Sequence, residues 1–296
     1  MKSSEKSSER RNSAALKIRR PGVAGMFYPI DPAQLTTALE SYLSAAERVI
    51  DQPIAALIAP HAGYLYSGPV AAWSYKQIEG RDIPLVIVLA PSHFAYFRGA
   101  SVYDGDAYLT PLGEVPVDRD AAWSLSEQDD LIHFSDAGHS TEGPARPEHA
   151  LEVQLPFLQK VLGDFKLLPV IIGDMEWDTC RALAKGISQI MAETKALVVA
   201  SSDLSHYHKY EVANEMDHKF METFQEYDCR NLLEQSRQHR LEACGAAPIA
   251  TAMLVGENRG FRETKILKHA TSGDVPYGEK DRVVGYLAAA IYRKID

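Results

Sequence analysis

Cysteine is scarce in this chain, with Cys180, Cys229 and Cys244 the only three in 296 residues. Three are too few for a disulfide framework and too widely spaced for a zinc knuckle, so a reducing, cytoplasmic setting is expected. Long apolar runs are also missing. No stretch approaches the roughly 20 uninterrupted apolar residues of a membrane span, and runs such as LVIVLAP (Leu85 to Pro91) are strand-sized. No membrane partner is expected. Nor is there an excess of positive charge: 31 Lys and Arg stand against 40 Asp and Glu, a net charge of −9. That balance leaves no basic surface to neutralise phosphates and excludes nucleic acid as a partner. The opening MKSSEKSSERRNSAALKIRR has no apolar h-region, so a secretory signal is not expected. Residues 1–20 read as a disordered polar tail.

What is present suits a soluble core. With 46 % hydrophobic and 24 % charged residues, the chain can bury a large interior without disulfides. Asp31 offers an N-cap with Pro32 at the first helical position. Leu35, Leu39 and Leu43 then predict a helix to about Val49. Short β-rich runs follow: IAALIAP (Ile54 to Pro60), LVIVLAP, FKLLPVIIGD (Phe165 to Asp174) and ALVVASSD (Ala196 to Asp203). They are apolar at nearly every position, as strands buried on both faces should be. Helices are expected at Val70 to Ile78, His149 to Val161, Cys180 to Glu193 and Val212 to Phe224. The alternation predicts one α/β domain with a central, largely parallel or mixed sheet flanked by helices. RVVGYLAAAIYRKI (Arg282 to Ile295) suits helix or strand equally.

In open α/β sheets, ligands bind beyond the carboxyl ends of the strands. Three of the four runs end beside a candidate metal ligand: His61, His93, and the pair Asp203 and His206. Singly, each histidine also suits a capping or core-edge role; three marked strand ends together favour a common site. Cys244 precedes a helical-looking run, where unpaired N–H groups favour a thiolate, although most lone cysteines are inert and buried. Cys180 and Cys229 are read as inert. In PEHALEVQLPFLQ (Pro147 to Gln159), Glu148 and Glu152 would share a helix face. Glu148 or His149 is expected over the site, as a support or a substrate contact, and Glu152 is expected to be solvated. Tyr64, Tyr66, Phe94 and Tyr207 flank the ligands as an aromatic wall or as core residues.

These same residues carry a resemblance to the Memo family. It runs in order from about Pro21 to the C-terminus through GMFYPIDPAQL (Gly25 to Leu35), LIAPHAGYLYSGPVAAWSY (Leu57 to Tyr75), VLAPSHF (Val88 to Phe94), LTPLGEVPVD (Leu109 to Asp118), EHALEVQLPFLQ, SSDLSHY (Ser201 to Tyr207), CGAAPI (Cys244 to Ile249), TSGDV and RVVGYLAAAI. The resemblance implies a Memo-like domain over 21–296 with a fold like the class III extradiol dioxygenases. It implies one metal ion on His61, His93 and Cys244, with Asp203 and His206 lining the pocket and His206 serving as acid or base. The dioxygenases complete their site with a carboxylate, whereas Memo-like chains, like this one, have cysteine there. A softer thiolate favours Fe(II) or copper, with zinc also acceptable. Glu242 is a rival carboxylate outside the motif.

Two functions follow from the resemblance. One is a metal-dependent, oxidoreductase-like protein acting on a small phenolic or enolic substrate, with dioxygenase ancestry but not necessarily dioxygenase activity. The other is a non-catalytic adaptor whose pocket receives a peptide, since some Memo-like members are described as mediators of cell motility that bind phosphotyrosine peptides. Memo-like chains also often occur beside a radical-SAM protein and a third small protein, which implies a place in a shared modification system.

Overall fold

The computed structural model describes residues 15–141 and 146–294. In chain order its strands are β1 (Ile18–Arg19), β2 (Ile54–Ala59), β3 (Leu85–Pro91), β4 (Ala100–Val102), β5 (Ala107–Thr110), β6 (Gly113–Pro116), β7 (Ile132–Phe134), β8 (Lys166–Ile172), β9 (Ala196–Ser201), β10 (Asp203–His208), β11 (Glu263–Thr271) and β12 (Val283–Tyr292). The helices are α1 (Pro32–Ser44), α2 (Tyr64–Lys76), α3 (Arg119–Ser126), α4 (Leu155–Leu162), α5 (Trp177–Glu193), α6 (Tyr210–Gln225), α7 (Cys229–Arg237) and α8 (Ala246–Asn258).

The four expected apolar runs become the parallel heart of a nine-stranded mixed sheet, in the order β2-β9-β3-β8. Every residue of β3 is buried, which explains why its sequence shows no alternation. Beyond β2 the sheet turns antiparallel. One edge of β12 pairs with β11, so Tyr286 faces Ala270 and Ala289 faces Ile266. Its other edge pairs with β2 (Ala289 opposite Ile58) and with β10 (Tyr286 opposite Asp203). The ambiguous C-terminal run is therefore an interior strand, stabilised by partners on both edges. A separate three-stranded sheet has the order β1-β5-β6.

Several boundaries differ from the sequence expectation. The first helix ends at Ser44, five residues early, after the Asp31 carboxylate caps Gln34 N at 2.9 Å. The second begins at Tyr64 rather than Val70 and runs through Pro69. Pro69 is solvent-exposed, so water can satisfy the carbonyl that its missing N–H leaves free. The helix expected from His149 starts only at Leu155, after a short 3₁₀ turn at Glu152–Gln154. The reason is local: the Glu148 carboxylate accepts from its own neighbours His149 N and Ala150 N at 2.9 Å each, an alternative to helical pairing. Glu148 and Glu152 thus do not share a helix face. The expected tail also ends sooner. Ile18 and Arg19 form β1 against Ala107 and Tyr108, while residues 1–14 lie outside the described residues.

Glu152 is a further correction, because it is fully buried rather than solvated. Its Oε2 accepts from Arg19 Nη1 at 2.6 Å and Gly22 N at 2.8 Å. Its Oε1 accepts from Tyr28 Oη at 2.6 Å and Val23 N at 3.0 Å. Arg19 is equally buried, and it also donates to His139 O and Glu148 O. The N-terminal segment is thereby stapled to the chain that carries Glu148.

His139 completes this network as a neutral imidazole. Its Nε2–H donates to Ser101 O at 3.0 Å, and its Nδ1 accepts from the Tyr108 hydroxyl. Burial first, and Arg19 nearby, push its pKa down from 6.5 to about 3. Between those values the unfolded chain binds a proton that the folded chain refuses, so this stabilising contribution is complete above pH 6.5 and is lost as pH falls towards 3. We expect His139 to add a slope of up to about 1.4 kcal/mol per pH unit to unfolding free energy in that window. Denaturant unfolding across pH 4–7 should show this slope in the wild type and its loss in His139→Gln. Parallel curves would remove His139 as the cause.

Candidate metal centre

The carboxyl ends of β2, β9 and β3 lie side by side, with Ala59 opposite Ser201 and Leu89 opposite Ala200. The residues that follow them, His61, Asp203 and His93, are therefore brought to one edge of the sheet. Cys244 joins them from the turn before α8. Gly245 makes that approach feasible, because a Cβ there would collide with Ser201 O and the Ser202 side chain. The donor atoms of His61, His93 and Cys244 all lie within 4.8 Å of one another. Cys244 Sγ is 3.1 Å from His61 Nε2.

Each imidazole anchors its Nδ1 and turns Nε2 towards the donor cluster. The Ser201 hydroxyl donates to Ala150 O at 2.6 Å, so it can only accept from His61 Nδ1, 2.8 Å away. Gln154 Nε2 donates to the same hydroxyl at 2.7 Å, and the Gln154 amide is itself oriented by Tyr75 Oη, which donates to Oε1 at 2.5 Å. His61 therefore carries a proton on Nδ1 and turns Nε2 towards Cys244. His93 Nδ1 donates to Glu148 Oε1 at 2.9 Å, while its backbone N–H donates to Oε2 at 2.6 Å. Carboxylate and hydroxyl supports of this kind fix ring orientation and raise ligand basicity.

The charges follow the same logic. Burial opposes ionisation of Glu148, but His93 and the N–H donors around it outweigh this and hold its pKa near 2. Burial likewise opposes a charged His93, and Cys244 and Glu148 outweigh it, raising the pKa to about 10. For Cys244 burial acts against the thiolate, yet His61 and His93 bring the pKa down to about 7. Cys180 and Cys229, with no such partners, are pushed up to about 12 by burial, in line with inert thiols.

The donor set fits a metal ion. Metal–nitrogen bonds of about 2.0–2.1 Å and metal–sulfur bonds of about 2.3 Å require donors separated by a few ångströms, and these are. His93, Glu148 and His149 also cluster, but the Glu148 oxygens already receive N–H donors from His93, His149 and Ala150. That group supports the centre rather than forming a second one. We expect Glu148→Gln to weaken metal binding about 10- to 100-fold, because its amide NH₂ would face an N–H it cannot accept. Chelator competition against the wild type would measure this, and equal affinities would contradict it.

The other expected site residues divide. His149 stacks on His93 at 4.9 Å and 14° and stands edge-on to His61 at 5.4 Å. Phe27 and Phe94 flank it at 4.6 and 6.3 Å. Asp203 is buried, accepts His61 N on Oδ1 at 2.8 Å and sets the ligand loop instead of entering the donor cluster. Burial raises its pKa to about 6 despite the N–H donors and His206. His206 is half-buried, with its ring edge-on to Tyr207 at 5.7 Å. Glu242 accepts from His206 N and pairs with His208 Nε2 at 3.0 Å, outside the donor cluster. Tyr64 belongs to the core: it is 2 % exposed, packs on Tyr28 and Phe157 and donates to Val153 O. Ser201 and Gln154 were missed, although both sit inside quoted motifs. Their neutral side chains carry no ligand signal. A 910 Å³ cavity lined by Pro84, Leu85, Phe165 and Lys166 opens at the amino ends of β3 and β8, away from this centre.

Comparison with known proteins agrees with the geometry. The family model described as "Memo-like protein" matches residues 19–290. A MEMO1 family protein of Aeropyrum pernix is 36 % identical over 294 residues, covering 93 % of this chain and 100 % of the relative. One of Methanobrevibacter smithii is 36 % identical over 290 residues, with 93 % and 100 % coverage, and one of Nitrosopumilus maritimus is 34 % identical over 275 residues, with 91 % and 98 % coverage. The mixed sheet flanked by helices accords with the relation of this family to the class III extradiol dioxygenase fold. With the family model spanning nearly the whole chain and its motif residues converging on one centre, the chain belongs to the Memo family.

Proposed function

We propose that the protein holds one redox-active ion, Fe(II) or copper, on His61, His93 and Cys244, and uses it in oxidoreductase-type turnover of a small phenolic or enolic substrate. The observation that supports this reading is the convergence of three donor atoms within 4.8 Å, with both imidazoles offering Nε2. Zinc also suits the donors, but Fe(II) and copper match a His₂Cys set with redox capacity. A bound ion would supply Lewis acidity at the substrate oxygen and an electron-transfer partner.

The side chains supply the rest. Phe27, Phe94 and His149 form an aromatic wall on one side of the ligands, suited to a planar ring. His206 takes or returns the proton of the substrate hydroxyl, and its charge acts on the neighbouring Asp203 carboxyl. Protein loaded anaerobically with Fe(II), Cu(I) or Zn(II) should take up one ion, and the redox-active forms should consume O₂ with catechol-type probes. His206→Gln should keep the metal and lose at least about 100-fold in turnover. Undiminished turnover would remove that role, and failure to bind any of the three ions would overturn the reading.

The adaptor reading draws on the exposure of Tyr66, Phe94, Tyr96 and Tyr207 beside the ligand loops, because clustered exposed aromatics mark binding surfaces. Peptide binding that survives metal removal would favour it.

A further inference from the structure

Two bulges interrupt β10, one between Asp203 and His206 and one between His206 and His208. At the second, His206 and His208 pair with the consecutive residues Val284 and Val283, which leaves Tyr207 without a strand partner. Tyr207 adopts φ 64°, a left-handed conformation that costs a bulky residue free energy. It is 62 % exposed, so burial of its ring does not offset that cost. Bulges beside sites commonly re-aim a side chain, and here the bulged ring stands exposed beside His206. It sits against His206, and its hydroxyl, like the Tyr66 hydroxyl and the Asp203 carboxyl, lies close enough to Tyr286 to act on it electrostatically.

The strand that opposes the bulge begins with a charge. Arg282, immediately before β12, holds its guanidinium 5.2 Å over the Tyr207 ring. Arg282 is exposed, and no carboxylate pairs with it among the described residues. A guanidinium stacked on an aromatic ring keeps its donor edge free for a planar oxyanion.

We propose that Tyr207 and Arg282 form an anion-reading clamp at the mouth of the metal centre, so that the substrate is a planar molecule bearing a negatively charged substituent. This rests on the reading of the same centre given above. The substrate ring stacks beside Tyr207, its anionic substituent meets Arg282, and its hydroxyl faces His206 and the metal ligands. An arginine at the rim also draws such a substrate towards the mouth of a chain whose net charge is −9.

The test compares 4-hydroxybenzenesulfonate with phenol, two probes that share a ring and a hydroxyl and differ in the anion. Ligand-detected NMR titrations on metal-free and metal-loaded protein at low ionic strength give both affinities. The sulfonate should bind at least tenfold tighter, and Arg282→Gln should bring the two probes to parity. Tyr207→Gly should weaken both probes while leaving Tm unchanged or raised, because glycine takes the left-handed backbone without strain. Parity in the wild type, or a preference that survives Arg282→Gln, would overturn the clamp. An Arg282-dependent preference in protein that takes up no metal would keep the clamp and remove the metal reading. Metal uptake with parity would do the reverse.

Discussion

Cys244→Ala should reduce bound metal from one ion per chain to near zero while the fold persists. Structural metal sites with four ligands bind with apparent free energies of about 10–16 kcal/mol, so the loss of one anionic donor should cost roughly 3–4 kcal/mol, or a few hundredfold in affinity. Little else depends on the thiol. Besides its contact with His61, its hydrogen bonds are one from Asp203 N at 3.3 Å and a weak one to Asp203 O at 3.6 Å, together worth about 1 kcal/mol. Elemental analysis after anaerobic purification, paired with a melting curve, separates the two effects. Unchanged metal content in Cys244→Ala would show that the ligand assignment is wrong. Cys244→Ser should fall between, because a hydroxyl can accept from Asp203 N but is a poor thiolate substitute for a soft ion.

The largest effect on stability should come from Glu152→Gln. The Arg19 and Glu152 side chains are 3 % and 0 % exposed, and removing one partner of a buried ion pair costs about 3–5 kcal/mol. The amide is a poor replacement despite its matching shape. Each carboxylate oxygen accepts two donors, so an NH₂ at either position confronts two hydrogens. At about 2–4 °C per kcal/mol for a chain of this size, Tm should fall by about 10 °C. Urea unfolding should show a lower midpoint at unchanged slope. Replacing both partners, as Arg19→Met with Glu152→Leu, should recover much of the loss. A Glu152→Gln protein as stable as the wild type would mean that the pair adds no net stability. Because Arg19 also donates to Glu148 O, the single variant should weaken metal retention through His93 as well.

The candidate donors on the sheet were legible in the sequence because the sheet obeys a simple rule. Strands buried on both faces are continuous apolar runs, and functional groups follow their carboxyl ends, as His61 and His93 do. The supports were less legible because their partners are remote in sequence. Arg19 and Glu152 are 133 residues apart, and neither position is unusual locally. Glu148 and Glu152 look alike at helical spacing, yet one holds the His93 imidazole and the other anchors the N-terminal segment. Tyr64 was expected as either wall or core, and the first turn of α2 directs it inward. The C-terminal strand was ambiguous because its alanines fit either periodicity, and only its neighbours β2, β10 and β11 settle it.

The interior position of β12 also bears on the protein's biosynthesis. As a chain leaves the ribosome, His61, His93 and Cys244 all emerge before β12. Until β12 follows, β2 lacks one neighbour, and β10 lacks its only strand partner among the described residues. Asp203, which sets the loop carrying His61, lies on that unpaired strand. The nascent chain thus displays open sheet edges and unassembled ligands together, a state exposed to wrong pairing. The candidate ligand set is accordingly assembled only once the sheet has closed.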